Sequence, residues 1–289
     1  MVTKTESTTI EKEFSTTVFA TKRDDDYTNL SASGTDNEWI KDATVTTAGA
    51  VTFTDNPVYP KNGDWIYLVA VAPKIASAAS YNGTDATVTY TLDGKTDLLY
   101  ASQIQGNRWD GSRFSNNTDQ SVEPLEYAHL LTQLKFKAKK VTAGLTVNVK
   151  KITVGSVKNT AKLVLATGTA TFDGNADLSL SFGGDDSDGT AISGTKETDA
   201  TVLEGALLLP PLGQDDAAYT LIVETSVGTF KDVPIEFSNG SGSGSDNQLK
   251  QGVSHDITLE ISDRELEVLS VTVAEWTSIP QGGELDLIN

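Results

Sequence analysis

The residues best suited to acid–base chemistry near neutral pH are two histidines, His129 and His255, which lie far apart in the sequence. A catalytic role would require a nucleophile and an orienting carboxylate close to one of them. The alternative, which the neighbouring sequence favours, is a structural role for each histidine at the beginning of a β-strand. Two histidines at this separation do not form a metal-ligand spacing, and the chain has no cysteine for a thiolate nucleophile or a zinc site. We therefore expect no catalytic site, no bound metal and no cofactor.

Two short acidic clusters are further candidates for chemistry. Asp24, Asp25 and Asp26 are consecutive, and residues 185–189 read Asp-Asp-Ser-Asp-Gly. The second cluster resembles half of a calcium-binding loop, but it lacks the alternating oxygen ligands and the final glutamate. Solvated loops are the favoured interpretation of both clusters, with adventitious calcium binding left open at the second. A carboxylate pair for glycoside hydrolysis cannot be chosen among the 40 acidic residues, because the separation that matters is spatial.

The tryptophans offer a binding surface instead of a catalytic group. They are Trp39, Trp65, Trp109 and Trp276. Trp65 and Trp276 stand in strand-like runs, which favours packing in a core. Trp109 lies in the sequence Gly-Asn-Arg-Trp-Asp-Gly, which is typical of a loop, so it is the candidate for contact with a surface ligand such as a carbohydrate.

The charge of the chain excludes two classes of partner. The formal net charge is -18 at pH 7, so nucleic acid and anionic membrane surfaces would repel the protein. No apolar run approaches the roughly 18–20 residues that a transmembrane helix requires. No signal peptide precedes the first strand-like segment, so if the protein is exported, we expect its signal and any lipidated cysteine to have been removed.

Alternating apolar and polar residues predict β-strands along most of the chain. Leu134, Phe136 and Ala138 alternate with three lysines, which places the apolar side chains on one face of a strand. The alternation slips near residues 150–151, which predicts a β-bulge there. Turn dipeptides such as Asn-Gly and Asp-Gly separate the strands. The sequence therefore predicts an all-β fold built from antiparallel β-sandwiches.

The length of the chain favours two sandwiches in tandem. At 289 residues it is long for one β-sandwich and sufficient for two. The polar stretch at residues 115–121 is followed by a new strand pattern. We place the domain boundary there, between an N-terminal domain of residues 1–122 and a C-terminal domain of residues 123–289.

Four segments carry a resemblance to a known family. Residues 58–73 contain Tyr-Pro followed by an apolar strand that ends in Ala-Pro, and residues 97–101 read Asp-Leu-Leu-Tyr-Ala. Residues 124–136 place a histidine inside an apolar strand pattern, and residues 269–276 form a strand pattern that ends in tryptophan. In this order, and covering most of the chain, the four segments resemble the fimbrillin (Mfa-like) proteins of Bacteroidales.

The resemblance implies a pilus subunit made of two tandem transthyretin-like antiparallel β-sandwich domains, exported as a lipoprotein precursor to the outer membrane. In that family a trypsin-like or arginine-specific protease removes an N-terminal strand. A strand of the next subunit then fills the exposed groove, which gives a surface fibre of identical or different subunits. This chain departs from the family pattern, because it has no obvious arginine followed directly by a small or apolar strand start.

Lys22 and Arg23 are the candidate processing site. They follow the strand-like residues 8–20 and begin a polar segment, where a protease finds accessible backbone. The alternative is that they only balance the three neighbouring aspartates. The candidate residues for strand exchange lie near the C-terminus, in donor-type strands: Leu269, Val271, Val273, Trp276, Leu285 and Leu287.

Three functions are therefore compared. A fimbrial subunit that polymerises and mediates adhesion is the leading hypothesis, with other subunits and a host or bacterial surface ligand as partners. The alternative is a tip or surface adhesin module that binds carbohydrate or a host ligand without forming the stalk itself. A glycosidase is the least favoured, since the sequence offers no nucleophile–base arrangement.

Overall fold

The computed structural model describes residues 12–34, 37–55, 57–77, 80–109, 112–113, 121–122, 124–183, 188–213, 216–235, 249–263 and 265–274. The strands among them are β1 (Phe14–Thr21), β2 (Trp39–Val45), β3 (Val51–Phe53), β4 (Ile66–Ala72), β5 (Tyr81–Asn82), β6 (Thr87–Thr91), β7 (Leu99–Gly106), β8 (Ser112–Arg113), β9 (Ser121–Val122), β10 (Tyr127–His129), β11 (Thr132–Lys140), β12 (Asn148–Val157), β13 (Thr160–Val164), β14 (Ala170–Asp173), β15 (Ala176–Ser181), β16 (Thr190–Ala191), β17 (Thr201–Leu209), β18 (Thr220–Thr225), β19 (Thr229–Pro234), β20 (Ser254–Ile261) and β21 (Leu266–Ala274). A short 3-10 helix, Glu197–Asp199, interrupts them. The all-β prediction is confirmed. Within the described ranges, no helix is long and apolar enough to cross a bilayer.

A six-stranded antiparallel sheet dominates the first part of the chain, in the order β10-β7-β4-β1-β2-β3. Its central strands are covered on both faces. Val18 and Ala20 of β1 belong to one hydrophobic core, whereas Phe19 belongs to another. The same division holds along β4, where Leu68 and Val69 contribute to different cores. Continuous apolar runs in these strands follow from that double burial.

The second part of the chain is built around two sheets that share one hydrophobic core. The first has the order β17-β11-β20-β21 and the second β15-β12-β18-β19. Leu134 and Phe136 of β11 are fully buried in this core, as predicted from their alternation with lysines. The pairing of β12 with β18 shifts register between Val149 and Lys151, which confirms the predicted bulge.

A further sheet, ordered β14-β13-β6-β5, joins the two parts of the chain. Its strand β6 pairs with β13, which follows it by some seventy residues in the chain, in five residue pairs. The Tyr100 hydroxyl donates to the carbonyl of Leu165 at 2.7 Å. Gly168, at a positive φ of 67°, leaves room for the Tyr100 ring, which a Cβ atom would overlap. These contacts join residues on both sides of the expected domain boundary. The division into domains at 122/123 and the transthyretin-like topology of each domain stay predictions.

Replacing Phe136 with alanine is expected to lower the free energy of unfolding by about 3–5 kcal/mol, because the side chain is fully buried and its removal leaves a cavity. Denaturant unfolding measures the change. The matched control is Val202→Ala on the neighbouring strand β17, where the side chain is 53% exposed and the expected change is within about 0.5 kcal/mol. Equal, small losses in both variants would contradict the burial of this face.

Candidate functional site

Strand β1 lies inside the six-stranded sheet and not at its edge. It pairs antiparallel with β2 over seven residue pairs, from Phe14 with Val45 to Ala20 with Trp39. On its other side it pairs with β4, from Thr17 with Val71 to Thr21 with Tyr67. The strand therefore fills a groove that has a hydrogen-bonding edge on each side.

The two faces of β1 contact two apolar walls of this groove. The Phe19 ring packs against Tyr81 with centroids 5.5 Å apart, and Phe14 makes an edge-to-face contact with Tyr127 at 5.2 Å. Val18 is fully buried in the same core as Trp39. Each such side chain contributes about 1.5–3 kcal/mol when it is fully buried. The groove thus favours an occupant with apolar residues on both faces.

Two threonines of β1 make hydrogen bonds inside the groove, and both are completely buried. The Thr16 hydroxyl donates to the carbonyl of Val71 at 2.7 Å and accepts from the Tyr127 hydroxyl at 2.8 Å. The Thr17 hydroxyl donates to the Asp42 carboxylate at 2.8 Å and accepts from a backbone N–H at 3.0 Å. Burial raises the pKa of Tyr127, so its hydroxyl remains a donor at all ordinary pH values.

Sequence reasoning did not identify these threonines as part of a site. The signal that could have found them is the unbroken apolar run at residues 18–20, which is typical of a strand buried on both faces. Adjacent polar residues in such a strand are both buried, and they need partners.

The proposed processing residues lie in a tight turn directly after β1. Lys22 forms an ion pair with Glu38 at 2.8 Å, and Arg23 pairs with Asp26 at 3.3 Å. Their side chains are 43% and 68% exposed. Asp26 N–H donates to the carbonyl of Arg23 at 3.3 Å, which closes the turn. Both basic residues are therefore accessible, but the backbone between them and Asp26 is not extended.

Gln103 of β7 ties this turn to the sheet. Its amide nitrogen donates to the Asp24 carboxylate at 2.6 Å, and its amide oxygen accepts from the backbone N–H of Asp25 at 3.1 Å. The Tyr27 hydroxyl donates to the same oxygen at 2.5 Å. Because a protease requires an extended segment, these bonds must open before the turn can be cut.

The structure describes only some of the C-terminal candidates for strand exchange. Strand β21 pairs antiparallel with β20 and forms the edge of its sheet. Val271 is 9% exposed and packs in the core, whereas Leu269 is 40% exposed. Val273 lies in the last part of β21. The remaining candidates lie outside the described residues: Trp276, Leu285 and Leu287.

The structure places both histidines at or near the ends of strands. His129 is the last residue of β10, not the first residue of a strand as expected, and its Nδ1 contacts the Asp97 carboxylate. His255 is the second residue of β20, close to the predicted position, and is fully buried. Among the described residues, no group of three or more His, Cys, Asp or Glu side chains is arranged to hold a metal ion.

Burial lowers the pKa of His255 to about 4, below the value near 6.5 of an unfolded chain. Between these two values only the unfolded state binds the proton, so stability is expected to fall as the pH drops from 6.5 to 4. His255→Leu removes this contribution. The free energy of unfolding of this variant should therefore fall less than that of the wild type between pH 6.5 and 4. The two losses should differ by a few kcal/mol, since one pKa unit is worth about 1.4 kcal/mol. Parallel pH profiles from denaturant unfolding would contradict the prediction.

Among the residues that the structure describes, Trp109 is the aromatic side chain with the greatest exposure. It is 63% exposed, whereas Trp39 is 1% exposed and Trp65 is half-buried. Its backbone N–H donates to the Asn107 side chain at 2.8 Å, and Asn107 in turn donates to the Gly63 carbonyl. The ring lies against Gly63, where a Cβ atom would overlap it. Trp109 is thus held in place while one part of its ring faces solvent.

Comparisons with known proteins support the fold. A family model described as fimbrillin-like matches residues 3–276. A candidate cell adhesion protein of Bacteroides uniformis has a similar structure, with a TM-score of 0.58 and 17% identity over 93% of this chain and 94% of the other. A fimbrial protein of Bacteroides vulgatus gives a TM-score of 0.53 and 16% identity, covering 91% and 93% of the two chains. At these identities, the two structures support the fold alone. No curated protein matches the chain by sequence.

Proposed function

This chain belongs to the fimbrillin-like family, and we propose that it is a fimbrial subunit, a non-enzymatic surface protein that polymerises by strand exchange and mediates adhesion. Its partners are other fimbrial subunits, identical or different. The protein is exported to the cell surface as an outer-membrane lipoprotein precursor. Family membership supports the fimbrial or adhesive role, and the position of β1 supports the exchange.

The observation that carries the proposal is that β1, the first strand among the described residues, is paired on both sides within its sheet. Lys22 and Arg23 follow it directly and are accessible. A cut in this turn frees β1 from the rest of the chain. Its departure leaves the edges of β2 and β4 unpaired and exposes apolar side chains of two cores, and such edges readily pair with a new strand.

The incoming strand comes from the C-terminal region of a second subunit. Much of the apolar area lost with β1 is buried again by this strand, at roughly 25 cal/mol per Å². The free-energy change of the exchange within the groove is therefore close to zero, and the exchange becomes irreversible when β1 diffuses away. Because the contact joins the groove of one subunit to the tail of the next, it does not close, and it extends into a filament.

A tip or surface adhesin role is the second candidate function, and the exposure of Trp109 favours it. An aromatic ring that is fixed at its base and open to solvent is suited to contact with a sugar or a protein ligand. In that case the chain binds its ligand without forming the stalk.

Trypsin titration followed by electron microscopy tests the leading proposal. Filaments that appear only after cleavage support the fimbrial subunit, and their absence under complete removal of β1 contradicts it. A glycan array with the wild type and Trp109→Ala tests the second function, for which binding should depend on Trp109.

A further inference from the structure

We infer that the groove around β1 selects its occupant through two buried hydroxyl sites, so that it binds most tightly a strand that presents hydroxyl side chains at the positions now held by Thr16 and Thr17. This inference rests on the proposed strand exchange for its biological use, but the two sites themselves are features of the described structure.

The first site is formed by Tyr127 and the backbone of β4. Its two groups are the Tyr127 hydroxyl, 2.8 Å from the Thr16 oxygen, and the Val71 carbonyl, 2.7 Å from the same oxygen. Tyr127 is 3% exposed and Thr16 is fully buried. An occupant with valine here would leave the Tyr127 donor without a partner and without access to water. Such an orphaned donor is more costly than the loss of an ordinary hydrogen bond.

The second site lies on the opposite face of the strand. Asp42 accepts from the Thr17 hydroxyl at 2.8 Å, and the Thr17 hydroxyl oxygen accepts from the backbone N–H of Ile75 at 3.0 Å. Asp42 also forms an ion pair with Lys74 at 3.1 Å, and its side chain is 40% exposed. Water can therefore partly replace the Thr17 hydroxyl at Asp42. We expect the second site to discriminate less strongly than the first.

The two sites and the apolar walls together fix the register of the occupant. Thr16 and Thr17 are consecutive, and they therefore face opposite walls of the groove, Thr16 with Val18 and Thr17 with Phe19. A shift of the strand by one residue exchanges its two faces. Only an occupant with two consecutive hydroxyl residues, followed by apolar residues suited to both walls, satisfies both sites. A second fimbrial subunit whose donor strand carries Ser or Thr at two adjacent positions is thus bound more tightly than one, like this chain at residues 285–288, whose donor segment carries none.

Synthetic peptides of residues 12–23 test this selection. They are added to trypsin-treated protein after the protease has been inhibited, and fibre growth is followed by light scattering. The wild-type peptide is expected to occupy the groove and block growth. A peptide with Thr16→Val and Thr17→Val is similar in shape but lacks both hydroxyls. It should require at least a tenfold higher concentration for the same inhibition. Thr16→Ser with Thr17→Ser should retain inhibition, as should the control Ser15→Ala, since Ser15 is exposed.

Equal inhibition by the divaline peptide would overturn the inference while leaving strand exchange intact. Failure of the treated protein to form fibres without any peptide would instead contradict the proposed function. A second measurement, thermal unfolding of the uncleaved full chain, tests the first hydroxyl site whether or not fibres form. Thr16→Val should lower the melting temperature, and adding Tyr127→Phe should restore part of the loss, because both partners are then apolar. No recovery in the double variant would overturn the first site.

Discussion

Trypsin-treated wild-type protein is expected to form fibres, whereas protein with Lys22→Ala and Arg23→Ala, treated in the same way, is expected to remain unassembled. Trypsin cleaves after lysine and arginine, and the two basic side chains in the turn that follows β1 are both accessible. Without a cut in this turn, β1 stays covalently attached between β2 and β4 and the groove stays filled. The expected effect is therefore nearly complete loss of fibres, measured by electron microscopy together with mass spectrometry of the fragments.

The matched control is Lys61→Ala with Lys95→Ala, which removes two exposed basic residues from other turns. This variant should be cut after Lys22 or Arg23 and should assemble like the wild type. Gln103→Ala provides a test in the opposite direction, because it releases the turn from β7 and should speed cleavage. Fibres from the double-alanine protein, with β1 still attached, would mean that processing lies elsewhere or is not required.

The second large effect is expected from Leu285→Asp with Leu287→Asp, which should abolish fibre formation after normal cleavage. Strand β21 is an unfavourable donor, because its release from its own sheet costs free energy: it breaks eight residue pairs with β20 and exposes Leu266 and Val271. The alternation of Leu285 and Leu287 with Asp286 offers a donor pattern beyond β21. Two buried carboxylates in the groove would have no partners, which strongly disfavours insertion.

Leu269→Asp, in the other candidate donor strand, is the comparison for this experiment. Leu269 lies on β21 and is 40% exposed, so its replacement should change neither stability nor assembly appreciably. Loss of fibres in Leu269→Asp, with assembly retained in the Leu285 and Leu287 double variant, would reverse the assignment and make β21 the donor. Thermal unfolding of each variant before cleavage separates a failure to assemble from a failure to fold.

Short-range patterns in the sequence determined the class of structure. The alternation around Leu134 and Phe136 depends on successive side chains pointing to opposite faces of a strand, and the structure buries both residues. The slip in alternation at Val149–Lys151 likewise marked a bulge that the structure contains. The segments shared with the fimbrillin family indicated membership, which the match over residues 3–276 confirms.

The groove and its selectivity were decided only by the tertiary structure. The sequence indicated a strand near the N-terminus, but not that β1 lies between β2 and β4. The residues of a strand do not by themselves indicate which strands it pairs with. Thr16 meets Tyr127 across 111 residues, and β6 meets β13 across the expected domain boundary. Strand order and buried polar partners depend on contacts between distant residues, whereas alternation reports only which face of a strand is apolar. The sequence alone therefore established an all-β member of a fimbrial family, and the folded chain determined which strand fills the groove and which hydroxyl groups hold it there.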